Sequence, residues 1–328
     1  MINFFKTLNP LNILWLGVIL FVLRVAYLVN LPVKIDAQFL APFQHILLSP
    51  RFRYDISPLS SFVIAGALVF IQALLLNQLV NHFNLLGKPT FLPALMYVTV
   101  SGLFTPFLVL SPPLICNFLV IWMLFKLFSF YKSTDAKSTA FDLGMIVALG
   151  SLIYLPFICL FLTIWIALVL FKPFNWREWI ACIMGYATIF FFLAVYYFLN
   201  DSLTRFGDIW LPLATKASPN LNINYFGYLV LVPVCIILVL SFFTLRQNFY
   251  KSYVQVRKSF QLLLFIFLIA AVTFYVRAAP QLSHFLLCAV PMAIFFAYYF
   301  LYASRKWFYE VLYGLLLVAI VYFQFNTF

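Results

Sequence analysis

The chain has 328 residues, of which 66% are apolar, 21% aromatic and 9% charged, with a mean hydropathy of +1.07. A water-soluble domain keeps its surface wet with about a quarter of its residues charged, so this composition excludes one and makes lipid the main solvent. The formal net charge is +12, but the Lys and Arg residues sit in short clusters between apolar runs rather than on one basic face. That pattern argues against a nucleic-acid partner and reads as a set of topology signals.

Residues 11–29 form the first apolar run. It is too long for a signal-peptide core and lacks a clear small-residue cleavage site, so it reads as span one rather than as a cleaved leader. A helix needs about 20 residues to cross the hydrocarbon core. On that measure further spans are expected near residues 59–79, 91–110, 114–130, 179–199, 226–245, 260–276, 282–302 and 311–325.

Residues 141–171 form one long, mainly apolar run, which as one straight helix would measure about 46 Å, longer than the core. Pro156 stands near the middle of this stretch. One tilted helix and a tight two-helix hairpin both fit its length, and the choice inverts everything downstream. With a hairpin, thirteen cations fall inside: Lys6, Lys88, Lys126, Lys132, Lys137, Lys172, Arg177, Arg246, Lys251, Arg257, Lys258, Arg305 and Lys306. Six fall outside (Lys34, Arg51, Arg53, Arg205, Lys216 and Arg277), and Arg24 lies within span one. A single helix gives eight inside and eleven outside. The positive-inside rule therefore selects the hairpin.

The expected fold is thus an all-α integral membrane protein with about eleven transmembrane helices, forming one polytopic domain over residues 1–328. Its expected place is a bacterial-type inner membrane, with the amino terminus cytoplasmic and the carboxyl terminus outside. Two long outer loops follow from this topology, at about residues 30–58 and 200–225. Within the first, residues 37–48 carry apolar side chains at helical spacing around Gln38, Gln44 and His45, as an interfacial amphipathic helix would.

The eight acids divide by side. Asp135, Asp142, Glu178 and Glu310 stand among inner basic clusters and read as charge balance. Asp36, Asp55, Asp201 and Asp208 all fall in the outer loops, which makes the outer face the candidate site. A carboxylate held at the membrane surface and partly desolvated can accept a proton from a hydroxyl; Asp36 is the candidate base, with Asp55 and Asp208 as secondary acids. Arg51, Arg53 and Arg277 are placed to bind phosphate at headgroup depth, and His284 is a candidate to join them.

Cys116, Cys159, Cys182, Cys235 and Cys288 all lie in apolar runs without metal-ligand spacing and read as packing residues. No Gly-rich phosphate loop, nucleophile elbow or zinc helix is present. No cofactor is implied; a divalent metal is possible and nothing indicates one.

One span is followed by a long outer loop with an early acid (Asp36-Ala37), an interfacial helix, and Ser57-Pro58-Leu59 leading into span two. This layout resembles the GT-C superfamily of polytopic glycosyltransferases. The likeness continues through the hairpin, with Gly144, Gly150 and then Lys172-Pro173. It extends to His284-Phe285-Leu286-Leu287-Cys288-Ala289-Val290-Pro291, with Arg277 upstream. It implies transfer of a sugar from a polyprenyl-phosphate donor to an acceptor on the outer leaflet. Two other expectations stand beside it: a non-catalytic subunit of the same architecture that binds membrane lipid or a membrane protein partner, and a lipid or solute transporter.

Overall fold

The computed structural model describes residues 1–29, 57–131, 136–201, 206–207, 225–276 and 281–326. Among them the chain is helix and turn, with no strand. Among the described residues seven helices are long and apolar enough to cross a membrane: Pro58–His82, Pro112–Ser129, Trp176–Leu199, Val230–Lys251, Val254–Val272, Leu282–Tyr302 and Lys306–Phe325. The chain is an integral membrane protein.

In chain order the α-helices are α1 (Ile2–Phe5), α2 (Leu11–Val22), α3 (Val25–Val29), α4 (Pro58–His82), α5 (Leu92–Val100), α6 (Pro112–Ser129) and α7 (Lys137–Ile153). They continue as α8 (Phe161–Phe171), α9 (Trp176–Leu199), α10 (Tyr225–Asn248), α11 (Val254–Val272), α12 (Ala289–Tyr302) and α13 (Lys306–Asn326). Their starts follow local rules. Proline opens α4 and α6, where its missing N–H is not needed. The Ser57 side chain accepts from the Ser60 N–H at 3.2 Å, and that of Asn175 from the Arg177 N–H at 3.3 Å, each satisfying a donor that helix geometry leaves open.

The centre is built from α5 and α12. All nine residues of α5 are buried, as is every residue of α12 from Ala289 to Phe300. A helix that is apolar all round belongs inside a bundle, and these two pack on each other, with α4 against α5 and α10 against α12. In lipid the transfer of apolar surface offers little driving force, so tight packing and internal hydrogen bonds must hold the bundle together.

The apolar stretch around Pro156 does reverse. After α7, Tyr154 is extended (φ −145°, ψ 107°), and a 3-10 segment, Leu155–Leu160, leads into α8. Helices α7 and α9 then lie side by side and parallel. Their early turns meet where a Cβ on Gly144 would overlap the Cys182 carbonyl and one on Gly185 would overlap the Phe141 carbonyl. Their later turns meet through Ala148, Leu152, Phe190, Leu193 and Tyr197. Parallel neighbours joined in sequence require a return stroke, which α8 supplies. Its end comes back beside the close of α6, where Tyr131 and Phe171 rings lie 6.4 Å apart.

One end of the bundle gathers the basic clusters. The terminal ammonium meets Glu310 at 3.2 Å and Lys6 lies 4.3 Å above the Tyr309 ring. Tyr302 donates to the Leu86 carbonyl at 2.9 Å, next to Lys88. Lys126 pairs with Asp142 at 2.8 Å and Lys172 with Glu178 at 3.7 Å. Three of the four acids expected to balance charge do so; Asp135 lies outside the described residues.

Several expected spans are shorter or broken. Residues 91–110 yield a helix only as far as Val100, because Ser101-Gly102 and Pro106 end it and a 3-10 turn, Thr105–Phe107, follows. Span one breaks between Val22 and Val25, at Arg24. The span near 282–302 begins as a 3-10 segment, Leu282–Cys288, and becomes α-helical just before Pro291, which thereby sits in the first turn where it is tolerated.

Candidate functional site

Opposite the basic end, the backbone departs from α-helix in four places: Thr105–Phe107, Leu155–Leu160, Thr273–Val276 and Leu282–Cys288. The last packs against α11 and the first, and the second packs against the third. Irregular backbone at membrane depth is tolerated only where protein or a wet cavity satisfies its polar groups, so this convergence is the unusual feature of the bundle.

His284 stands at its middle, 1% exposed. Its Nε2 lies 2.8 Å from the Ala270 carbonyl, which can only accept, so Nε2 carries the proton. The Thr273 hydroxyl is 3.1 Å from the same nitrogen and itself donates to the Ala270 carbonyl. Nδ1 lies 2.7 Å from the Tyr154 hydroxyl, which can donate to it or accept from it. These contacts tie together the reversal at Tyr154, the end of α11 and the 282–288 segment.

Beneath it runs a second polar chain. Gln72 donates to the Leu114 carbonyl at 2.7 Å and accepts from the Tyr97 hydroxyl at 2.7 Å. Asn117 donates to the Tyr97 oxygen at 3.1 Å and to the Leu286 carbonyl at 3.0 Å, which joins the chain to the segment carrying His284. All three side-chain hosts are fully buried, and Asn117 Oδ1 has no hydrogen-bond partner among the described residues.

Arg24 lies at the same end, 3% exposed in the break between α2 and α3. Its Nη1 reaches the Phe62 and Leu108 carbonyls at 3.4 and 3.3 Å, and the guanidinium sits 5.6 Å from the Phe62 ring centroid.

The sequence-derived residues divide sharply. His284 is described, and both its nitrogens face protein groups. Asp36, Asp55, Asp208, Arg51, Arg53 and Arg277, with the expected interfacial helix at 37–48, lie outside the described residues. Asp201 is exposed just past α9 with φ +46°, a left-handed conformation that aspartate tolerates. Tyr154, Thr273, Gln72, Tyr97 and Asn117 went unremarked in the sequence. The signal for Gln72 and Asn117 was present as single amides inside apolar runs, which lipid would reject unless they face the bundle interior. No group of three or more His, Cys, Asp or Glu that could hold a metal occurs among the described residues. Cys116, Cys182 and Cys288 are buried, Cys159 is half-buried and Cys235 is exposed.

Fold and site together define a polytopic helical membrane protein with an irregular, hydrogen-bonded end. Residues 46–328 match the family described as a family of unknown function (DUF6427), and the chain belongs to that family. No curated protein and no solved structure matches it.

Proposed function

We propose that this chain is a membrane glycosyltransferase of GT-C-like architecture, moving a sugar from a polyprenyl-phosphate donor to an acceptor on the outer leaflet. The observation that carries this reading is the gathering of interrupted helices around His284 at the end opposite the basic clusters. Broken helices at membrane depth are where membrane proteins build ligand sites. The positive-inside rule makes the basic end cytoplasmic, and the irregular end then faces outward, with the amino terminus inside and the carboxyl terminus outside. The alternation of ends along the chain supports eleven crossings, counting the α7–α8 pair as two.

In this reading Asp36 deprotonates the acceptor hydroxyl while Arg277, Arg51 and Arg53 stabilise the departing phosphate. His284, engaged through both ring nitrogens, positions the 282–288 segment rather than binding phosphate. Purified protein in liposomes, given labelled polyprenyl-phosphate sugars and a broad acceptor panel, is expected to transfer label; no transfer across the panel would remove the reading. The full engagement of His284 favours a second reading, a non-catalytic subunit that holds a lipid or partner protein. A stoichiometric partner on native purification in mild detergent is its expected result.

A further inference from the structure

We propose that Arg24 is the anchoring cation of a phosphate-binding site within the outer end of the membrane domain. Among the described residues all its contacts are with neutral groups: two carbonyls, both at long range, and an aromatic face. Its Nη2 is buried and has no hydrogen-bond partner among the described residues. Of the four described acids, Asp142, Glu178 and Glu310 are paired at the opposite end and Asp201 is exposed beyond α9. A buried charge without a counter-charge is costly enough that an ionisable residue inside a membrane protein is by default a functional one.

The position suits a lipid phosphate. Phe62 lies four residues into α4, about 6 Å below its start, so the guanidinium sits near headgroup depth. One edge of the guanidinium is left for a second, bidentate partner, the geometry in which arginine binds phosphate. Gly66 lets α4 approach the guanidinium closely: a Cβ there would stand 3.3 Å from Nη1. Along α2, an apolar groove of about 430 Å³ bordered by Trp15, Val18, Val22 and Leu23 reaches the residue preceding Arg24. A ligand with a phosphate and a long hydrocarbon chain finds both requirements within residues 15–24. The site deepens the transferase reading by naming where the donor phosphate is held, and rests on that reading only for the identity of the lipid.

The test is retention of polyprenyl monophosphate by the detergent-solubilised full chain, read by native mass spectrometry. Phosphatidylglycerol and inorganic phosphate serve as separate probes. The wild type is expected to hold one phosphate lipid, with at least tenfold less retention in Arg24→Gln. Gly66→Ala, which keeps the charge and crowds Nη1, is expected to lose several-fold. Preference for the polyprenyl lipid supports a donor site. Equal, Arg24-dependent retention of phosphatidylglycerol supports a site filled by bulk lipid, and displacement by inorganic phosphate supports recognition of the phosphate alone.

Unchanged retention in both variants overturns the proposal. So does a loss of thermal stability in Asp36→Asn that matches Arg24→Gln and is not additive with it, since the counter-charge would then be the chain's own. Retention without sugar transfer would leave the site standing and remove the transferase reading. Transfer with retention indifferent to Arg24→Gln would do the reverse.

Discussion

At the scale of single residues, the chemistry proposed for Asp36 and the packing observed at His284 predict different kinds of loss. Asp36→Asn keeps the shape of the side chain but cannot accept a proton, so transfer is expected to fall to background with little loss of folded protein. Arg277→Ala removes a phosphate partner and is expected to raise the KM for donor, and Asp55→Asn, the comparison, to be milder. Wild-type turnover in Asp36→Asn would reduce that acid to a loop residue. Tyr154→Phe, by contrast, removes the hydroxyl that lies 2.7 Å from His284 Nδ1 in a buried place. Leaving a buried polar group unpaired costs about 1–3 kcal/mol. The expected outcome is a lower unfolding midpoint in detergent, with the double variant Tyr154→Phe/His284→Phe recovering part of the loss because both polar groups are then gone. The sequence disclosed His284 as a polar residue near a span boundary, but not its partners. Tyr154 is 130 residues away in the chain, and nothing local announces a contact that only the fold creates.

Among the elements, glycines give the sharpest contrast. Gly144 and Gly185 let the backbones of α7 and α9 touch, and a side chain at either would enter the other helix's carbonyl. Gly314, in α13, has nothing within 4 Å of the place where its Cβ would stand. Gly144→Ala is therefore expected to destabilise the protein by the few kcal/mol typical of overpacking. Gly314→Ala is expected to be neutral or stabilising by up to about 1 kcal/mol through helix propensity. Thermal midpoints in one detergent check both; an equal response would mean that α7 and α9 do not meet at Gly144. Element positions were largely legible, since runs of apolar residues and the prolines at 58 and 112 announce themselves. Their interruptions were less so. The breaks at Arg24 and at Gly102 fall within stretches apolar enough to read as continuous, and hydropathy averages over the single residues that end a helix.

For the molecule as a whole, the arrangement of charge and the reversal at Pro156 make one joint prediction. Charge counting selects the hairpin because it alone puts the majority of cations inside. The structure reaches the same reversal by independent means, through the parallel packing of α7 on α9 and the return of Phe171 to Tyr131. Charge counting and packing are unrelated physics, and their agreement places the start of α7 and the start of α9 at one end of the bundle. Ser138 and Phe174 are both exposed there, while Asn200 is exposed at the far end of α9. In a cysteine-depleted background, Ser138→Cys and Phe174→Cys are expected to resist an impermeant thiol reagent in intact cells and to react after permeabilisation. Asn200→Cys is expected to react in intact cells. Labelling of Phe174→Cys but not Ser138→Cys from outside would mean that residues 141–171 cross once and that α9 runs the other way. Labelling of both from outside, with Asn200→Cys protected, would keep the hairpin but turn the molecule over, moving the His284 end to the cytoplasmic side and removing the outer-leaflet acceptor from the proposal.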